Sequence, residues 1–124
     1  MIDTKDYFIL VAEDIEFNYL LIKAMIGKKY NLIRAKTGVE AINEFDKQRV
    51  DLILMDTKMP EMDGITATKI IRGKDPKIPI IAVTAYAFNS DKIVAMEAGC
   101  NDYLVKPIDV NALEETIKRY LPSE

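Results

Sequence analysis

The sequence predicts an α/β domain: a doubly wound parallel sheet of five strands with five helices. Three observations predict it. Short apolar runs at residues 8–12, 52–55 and 80–83 are continuous rather than alternating, as in strands covered on both faces. Segments with helical spacing follow each run, and parallel neighbours need such crossovers. Finally, 124 residues hold five strand–helix steps, whereas a closed eight-strand barrel needs about 250 residues.

The elements follow in order. The first strand, residues 8–12, leads into a helix in which Phe17, Leu20, Leu21, Ala24 and Met25 follow an i, i+3, i+4, i+7, i+8 stripe, with Gly27 at the position of a C-terminal cap. Residues 30–35 form a more polar run suited to a sheet edge. Thr37 with Glu40 makes a capping-box pattern for the second helix, whose inner face is Gly38, Ala41, Ile42 and Phe45. After the strand at 52–55, Ala67, Ile70 and Ile71 mark the third helix, ending before the turn-rich stretch 73–79. The strand at 80–83 precedes a helix capped by Asn89 or Ser90 and closed by Gly99. The run 102–105 is the other edge strand, and Asp109 caps a last helix with the stripe Val110, Leu113, Ile117, Tyr120 and Leu121. Right-handed crossovers then favour the flavodoxin-like strand order 2-1-3-4-5. Residues 1–124 read as one domain, with no repeat or linker.

Composition excludes several function classes. Seventeen basic against 20 acidic residues give a net charge of −3 without a long run of one sign, which argues against nucleic acid or an anionic membrane as partner. The lone Cys100 forbids an internal disulfide and fits a reducing compartment. No apolar stretch reaches the length of a membrane span, and the early run 7–12 lacks the length and cleavage site of a signal peptide, so the expected location is the cytoplasm. The chain has no histidine, which removes the Ser/His/Asp triad, most zinc sites and any phosphohistidine of its own.

In an open α/β sheet the ligand crevice lies beyond the carboxyl ends of the strands, at the switch point of the strand order. Polar residues stand at four of those ends: Glu13 and Asp14, Asp56, Thr84, and Lys106 before Pro107. Taken singly, each is an ordinary cap, turn or surface residue. Together, converging carboxylates repel by about 4 kcal/mol for a pair 4 Å apart at an effective dielectric near 20, so something positive must sit among them. A hard divalent cation with oxygen ligands, Mg²⁺, meets that need, and Lys106 adds a fixed charge. Carboxylates, a metal, a lysine and a hydroxyl compose a phosphoryl-transfer site, with the central Asp56 as nucleophile.

These residues carry a resemblance. Glu13-Asp14, Met55-Asp56 with Met59-Pro60 and Met62-Asp63-Gly64, Thr84-Ala85, and the stretch from Asp102 through Tyr103 to Lys106-Pro107 resemble the receiver domain of two-component response regulators, over essentially the whole chain. The resemblance implies that Asp56 is the phosphoacceptor, that Glu13, Asp14, Asp56 and the backbone carbonyl of Lys58 hold Mg²⁺, and that Lys106 pairs with the phosphoryl group. It implies a switch in which Thr84 moves to the phosphoryl oxygens and Tyr103 changes rotamer, a cis Lys106-Pro107 peptide, and a turn at Gly64. The donor would be a histidine kinase or histidine phosphotransfer domain, and the domain a monomer or weak dimer. Asn18 and the stretch from Gly99 to Tyr103 resemble the C-terminal receivers of hybrid histidine kinases. No output domain follows the fifth helix, so the expectation is a free single-domain regulator or a receiver cut from a larger protein.

Lys58 and Tyr86, each two residues beyond a site residue, are expected to tune the lifetime of the acyl phosphate, Tyr86 by restricting attacking water. Two other classes compete. A phosphatase resembling the haloacid dehalogenases carries a second Asp two residues after its nucleophile, where this chain has Lys58. A flavin carrier needs a Ser/Thr/Gly-rich loop after the first strand, where this chain has Glu13-Asp14-Ile15-Glu16. A degenerate receiver that only binds partners would not need all five chemical positions filled.

Overall fold

The computed structural model describes residues 3–122, so residues 1, 2, 123 and 124 of the expected domain lie outside the described residues. A short 3-10 turn, Thr4–Asp6, precedes β1 (Phe8–Ala12), α1 (Glu16–Ile26), β2 (Asn31–Ala35), α2 (Gly38–Lys47), β3 (Leu52–Asp56), α3 (Gly64–Lys74), β4 (Ile80–Thr84), α4 (Asn89–Ala98), β5 (Asp102–Val105) and α5 (Val110–Tyr120). The sheet is parallel in the order β2-β1-β3-β4-β5, as the sequence predicts.

Alternation along each strand sends side chains to two cores. Ile9, Val11, Leu52, Leu54, Ile81 and Val83 meet α1 and α5 through Ile22, Ile26, Leu113 and Ile117. Leu10, Ala12, Ile53, Met55, Ile80 and Ala82 meet α2, α3 and α4 through Ala41, Ala67, Ile71 and Ala95. Each fully buried Leu, Ile or Met is worth about 1.5–3 kcal/mol. Among the described residues, eight of the twelve largest fully buried side chains come from β1, β3 and β4, so the three strands that carry Asp56 and Thr84 and lead into Glu13 and Asp14 are firmly held.

Three local expectations need correction. Most of the apolar stripe read on α1 does not face the core: Phe17, Leu20 and Leu21 are exposed, Met25 packs at the core's margin, and Ile22 and Ile26 are the buried pair. The N-cap of α4 is Phe88, without a side-chain cap bond, and Asn89 and Ser90 lie inside the helix. Gly27 caps α1 as expected, in right-handed backbone. Gly64 is not a turn residue; it opens α3. Its Cα lies so near the end of β3 that a Cβ there would stand 1.9 Å from the Asp56 carbonyl oxygen. Other signals read as expected: Thr37 accepts from the Glu40 N–H and Asp109 from the Ala112 N–H, and Gly99 closes α4 at φ +118°, a conformation that favours glycine.

Candidate functional site

Parallel pairing puts the carboxyl ends of β1, β3, β4 and β5 along one edge. Met55 registers with Ala12, Asp56 with Val83, and Thr84 with Val105. Asp56 and Thr84 are therefore the last residues of their strands, while Glu13, Asp14 and Lys106 lie just beyond theirs. Asp63, the N-cap of α3, accepts from the Thr66 N–H at 2.8 Å and anchors the helix whose first residue lies against Asp56.

Glu13, Asp14 and Asp56 each offer a carboxylate oxygen, all within 4.8 Å of one another. Glu13 and Asp56 are buried and Asp14 is half-buried. The Lys106 ammonium stands between the two buried carboxylates, 2.8 Å from Glu13 Oε1 and 3.0 Å from Asp56 Oδ2. The other oxygens are also engaged: the Ile15 N–H donates to Glu13 Oε2 at 3.2 Å and the Lys58 N–H to Asp56 Oδ1 at 3.0 Å. Among the described residues no buried side-chain polar atom lacks a partner.

Charge follows from these contacts. Burial pushes the Glu13 carboxyl up, its bond to Lys106 opposes that, and the neighbouring Asp56 charge adds to the rise. Burial pulls the Lys106 ammonium down, but its bonds to Glu13 and Asp56 outweigh that, and the net direction is upward. One ammonium thus serves two of three clustered carboxylates. A set of hard oxygen donors with one positive charge suits a small divalent cation that keeps several waters, so the residues present fit Mg²⁺.

Across the crevice, Thr84 is buried, and its Oγ1 accepts from the Tyr86 N–H at 3.2 Å. The Lys106 N–H donates to the Thr84 carbonyl at 2.7 Å, tying the loop after β5 to the end of β4. The Lys106-Pro107 peptide is cis, as expected. Tyr103 Oη donates to the Tyr86 carbonyl, so the aromatic on β5 holds the loop that carries Tyr86. Thr57, Lys58, Thr84, Tyr86 and Asp91 border a cleft of about 80 Å³.

The structure thus brings Glu13, Asp14, Asp56 and Lys106 together and sets Thr84, Tyr86 and Lys58 around the adjoining cleft. Tyr103 reaches the site through the Tyr86 carbonyl and lies beside the Thr84 side chain. Arg34 was not apparent from sequence. It lies on the edge strand β2 opposite Val11, and its guanidinium reaches the backbone of the acidic loop, a relation visible only once the β1–β2 register is known.

A family model for the response regulator receiver domain matches residues 9–118. The chain is similar to the polar-differentiation response regulator DivK of Brucella anthropi, with 40% identity over 116 residues, 91% of this chain and 94% of that protein. Among solved structures it is similar to the receiver domain of the sensor histidine kinase PA1611 of Pseudomonas aeruginosa, determined with a magnesium ion coordinated in its active site cleft (37% identity, TM-score 0.87, covering 94% of this chain and 98% of that one). It is also similar to a structure of the Saccharomyces cerevisiae histidine phosphotransfer protein Ypd1 with the receiver domain of its response regulator Ssk1 (32% identity, TM-score 0.87, covering 92% and 88%).

Proposed function

The chain belongs to the response regulator receiver domain family of two-component signalling, and on that premise we propose that Asp56 accepts a phosphoryl group from a phosphohistidine on a partner and so switches the domain between two conformations. The observation that carries this reading is the Lys106 ammonium bridging Glu13 and Asp56, with Asp14 beside them. A carboxylate so placed is a nucleophile with its partner charges already assembled.

Glu13, Asp14, Asp56 and the Lys58 carbonyl would hold Mg²⁺, which, when bound, supplies charge neutralisation for the incoming phosphoryl oxygens. The remaining chemistry belongs to the chain. An Asp56 carboxylate oxygen attacks phosphorus as the bond from phosphorus to the donor's imidazole nitrogen breaks, and that electron pair returns to the imidazole. Lys106 then exchanges its contact with the Asp56 carboxylate for one with a phosphoryl oxygen. The Thr84 hydroxyl, which accepts from the Tyr86 N–H, turns its own hydrogen toward the same group and draws the loop with it. Tyr103, bonded to the Tyr86 carbonyl, loses or shifts that bond as the loop moves and changes rotamer. The phosphoryl group shifts the population because these contacts differ between the two states.

The catalysis is of the domain's own phosphorylation and dephosphorylation rather than turnover of a free substrate. Tyr86, at the border of the cleft, restricts attacking water, and Lys58 tunes the same step. The domain spans residues 1–124 and acts as a monomer or weak dimer, with a histidine kinase or phosphotransfer domain as donor and no nucleic acid. Similarity to the receiver of a sensor histidine kinase supports the hybrid-kinase subgroup. No helix among the described residues is long and apolar enough to cross a membrane.

The test is to incubate the protein with acetyl phosphate and Mg²⁺ and read the intact mass. Wild type should gain one phosphoryl group as acetate leaves, and Asp56→Asn should gain none. Equal labelling of the two would refute the assignment.

A further inference from the structure

The loop that supplies Glu13 and Asp14 is short, and the bond within it, from the Ile15 N–H to Glu13 Oε2, uses a carboxylate oxygen rather than holding the Glu13 and Asp14 peptides. The N-cap of α1, Ile15, makes no side-chain cap bond. Support comes instead from the edge strand. The Glu13 N–H donates to the Ala35 carbonyl at 2.9 Å. On the other side, Arg34 Nε and Nη2 donate to the Glu13 carbonyl at 3.3 and 3.2 Å, and Nη2 also reaches the Asp14 carbonyl at 3.4 Å. The guanidinium is itself held: it pairs with Glu16 and lies 4.7 Å from the centre of the Tyr19 ring. Only 15% of the Arg34 side chain is exposed, so these contacts persist out of bulk water.

We propose that Arg34 is a positioning residue of the magnesium site, its planar fork clamping the peptides of Glu13 and Asp14 so that their carboxylates present a fixed pair of oxygens. The inference rests on the Mg²⁺ reading of the acidic trio. A small cation with strict octahedral geometry at about 2.1 Å penalises ligands that wander, so a group that fixes ligand backbone raises affinity without touching the ion. A positive charge near a cation site would by itself weaken binding. Here Glu16 pairs with the guanidinium and offsets that charge, leaving the geometric effect to decide. The fork matters more than the charge, because one guanidinium meets two carbonyls and a carboxylate at once, which a lysine ammonium on the same strand cannot reproduce.

The test is Mg²⁺ binding by titration calorimetry for wild type, Arg34→Ala and Arg34→Lys, with thermal midpoints recorded for each. Both variants should bind Mg²⁺ about tenfold more weakly. The Mg²⁺ concentration that half-saturates phosphorylation by acetyl phosphate should rise by a similar factor, more than the plateau rate falls. Unchanged or tighter binding in Arg34→Ala would overturn the proposal, as would full affinity in Arg34→Lys or a loss confined to the plateau rate. Failure of wild type to bind Mg²⁺ would instead remove the metal-site reading on which the proposal stands.

Discussion

Replacing Gly64 by alanine should damage the protein out of proportion to one methyl group. The added Cβ would stand 1.9 Å from the Asp56 carbonyl oxygen, 2.8 Å from its carbon and 2.9 Å from Met55 Cγ. Side-chain carbons essentially never approach within 3.0 Å, so α3 or the end of β3 must move by more than about 1 Å. The obstacle is backbone of a fully buried strand, which cannot rotate away as a side chain would. Overpacking costs about 1–3 kcal/mol, and this geometry points to the upper end, about 3 kcal/mol, or a midpoint lowered by about 10 °C. Gly73, in the same helix, is the internal control, since a Cβ there meets nothing within 4 Å. Gly73→Ala should stabilise by about 0.5–1 kcal/mol through helix propensity alone. Urea unfolding followed by far-UV circular dichroism measures both. A Gly64→Ala loss below 1 kcal/mol, or glycines that respond alike, would refute the close-approach argument.

Three further predictions follow from the site and the core. Lys106→Met leaves the buried Glu13 and Asp56 carboxylates without their shared cation and should cost about 2 kcal/mol in the absence of metal; saturating Mg²⁺ should shrink the deficit, and a deficit indifferent to Mg²⁺ in urea titrations would contradict the shared-charge account. Tyr86→Ala opens the border of the cleft and should hasten loss of the acyl phosphate; unchanged or slower phosphate release would refute the shielding role. Burial pushes the Cys100 thiol above its ordinary 9.0 and the Tyr30 phenol above 10.0. In each case the folded state keeps a proton that the unfolded chain gives up first, so stability is complete below about pH 9 and falls as pH rises through the folded values. Thermal midpoints between pH 8 and 11 should show that fall, with Cys100→Ala flattening its first part; a flat wild-type profile would count against it.

The sheet was legible because strands covered on both faces read as continuous apolar runs, and the runs at β1, β3 and β4 are too short to favour a buried helix. The site was legible for a related reason: in a parallel sheet every strand ends at the same edge, so Asp56, Thr84 and Lys106 could be gathered without knowing a single contact. The burial face of α1 was not. This helix carries apolar residues on more than one face, and periodicity alone does not say which face the sheet takes; Ile22 and Ile26 went inward and Phe17 stayed out. Gly64 suggested a turn because turn and close approach both favour glycine, and only the Asp56 carbonyl beside it decides between them. The clamp by Arg34 depends on β2 registering against β1 and on a carbonyl pointing outward, neither of which leaves a mark in residue order.

The claim beneath all of this is that Glu13, Asp14 and Asp56 act as one cation site. Calorimetric titration of wild type, Asp14→Asn and Asp56→Asn with Mg²⁺ tests it most directly. Wild type should take up a single ion and each variant should lose more than about tenfold in affinity. No binding by wild type, or variants that bind as wild type does, would contradict it.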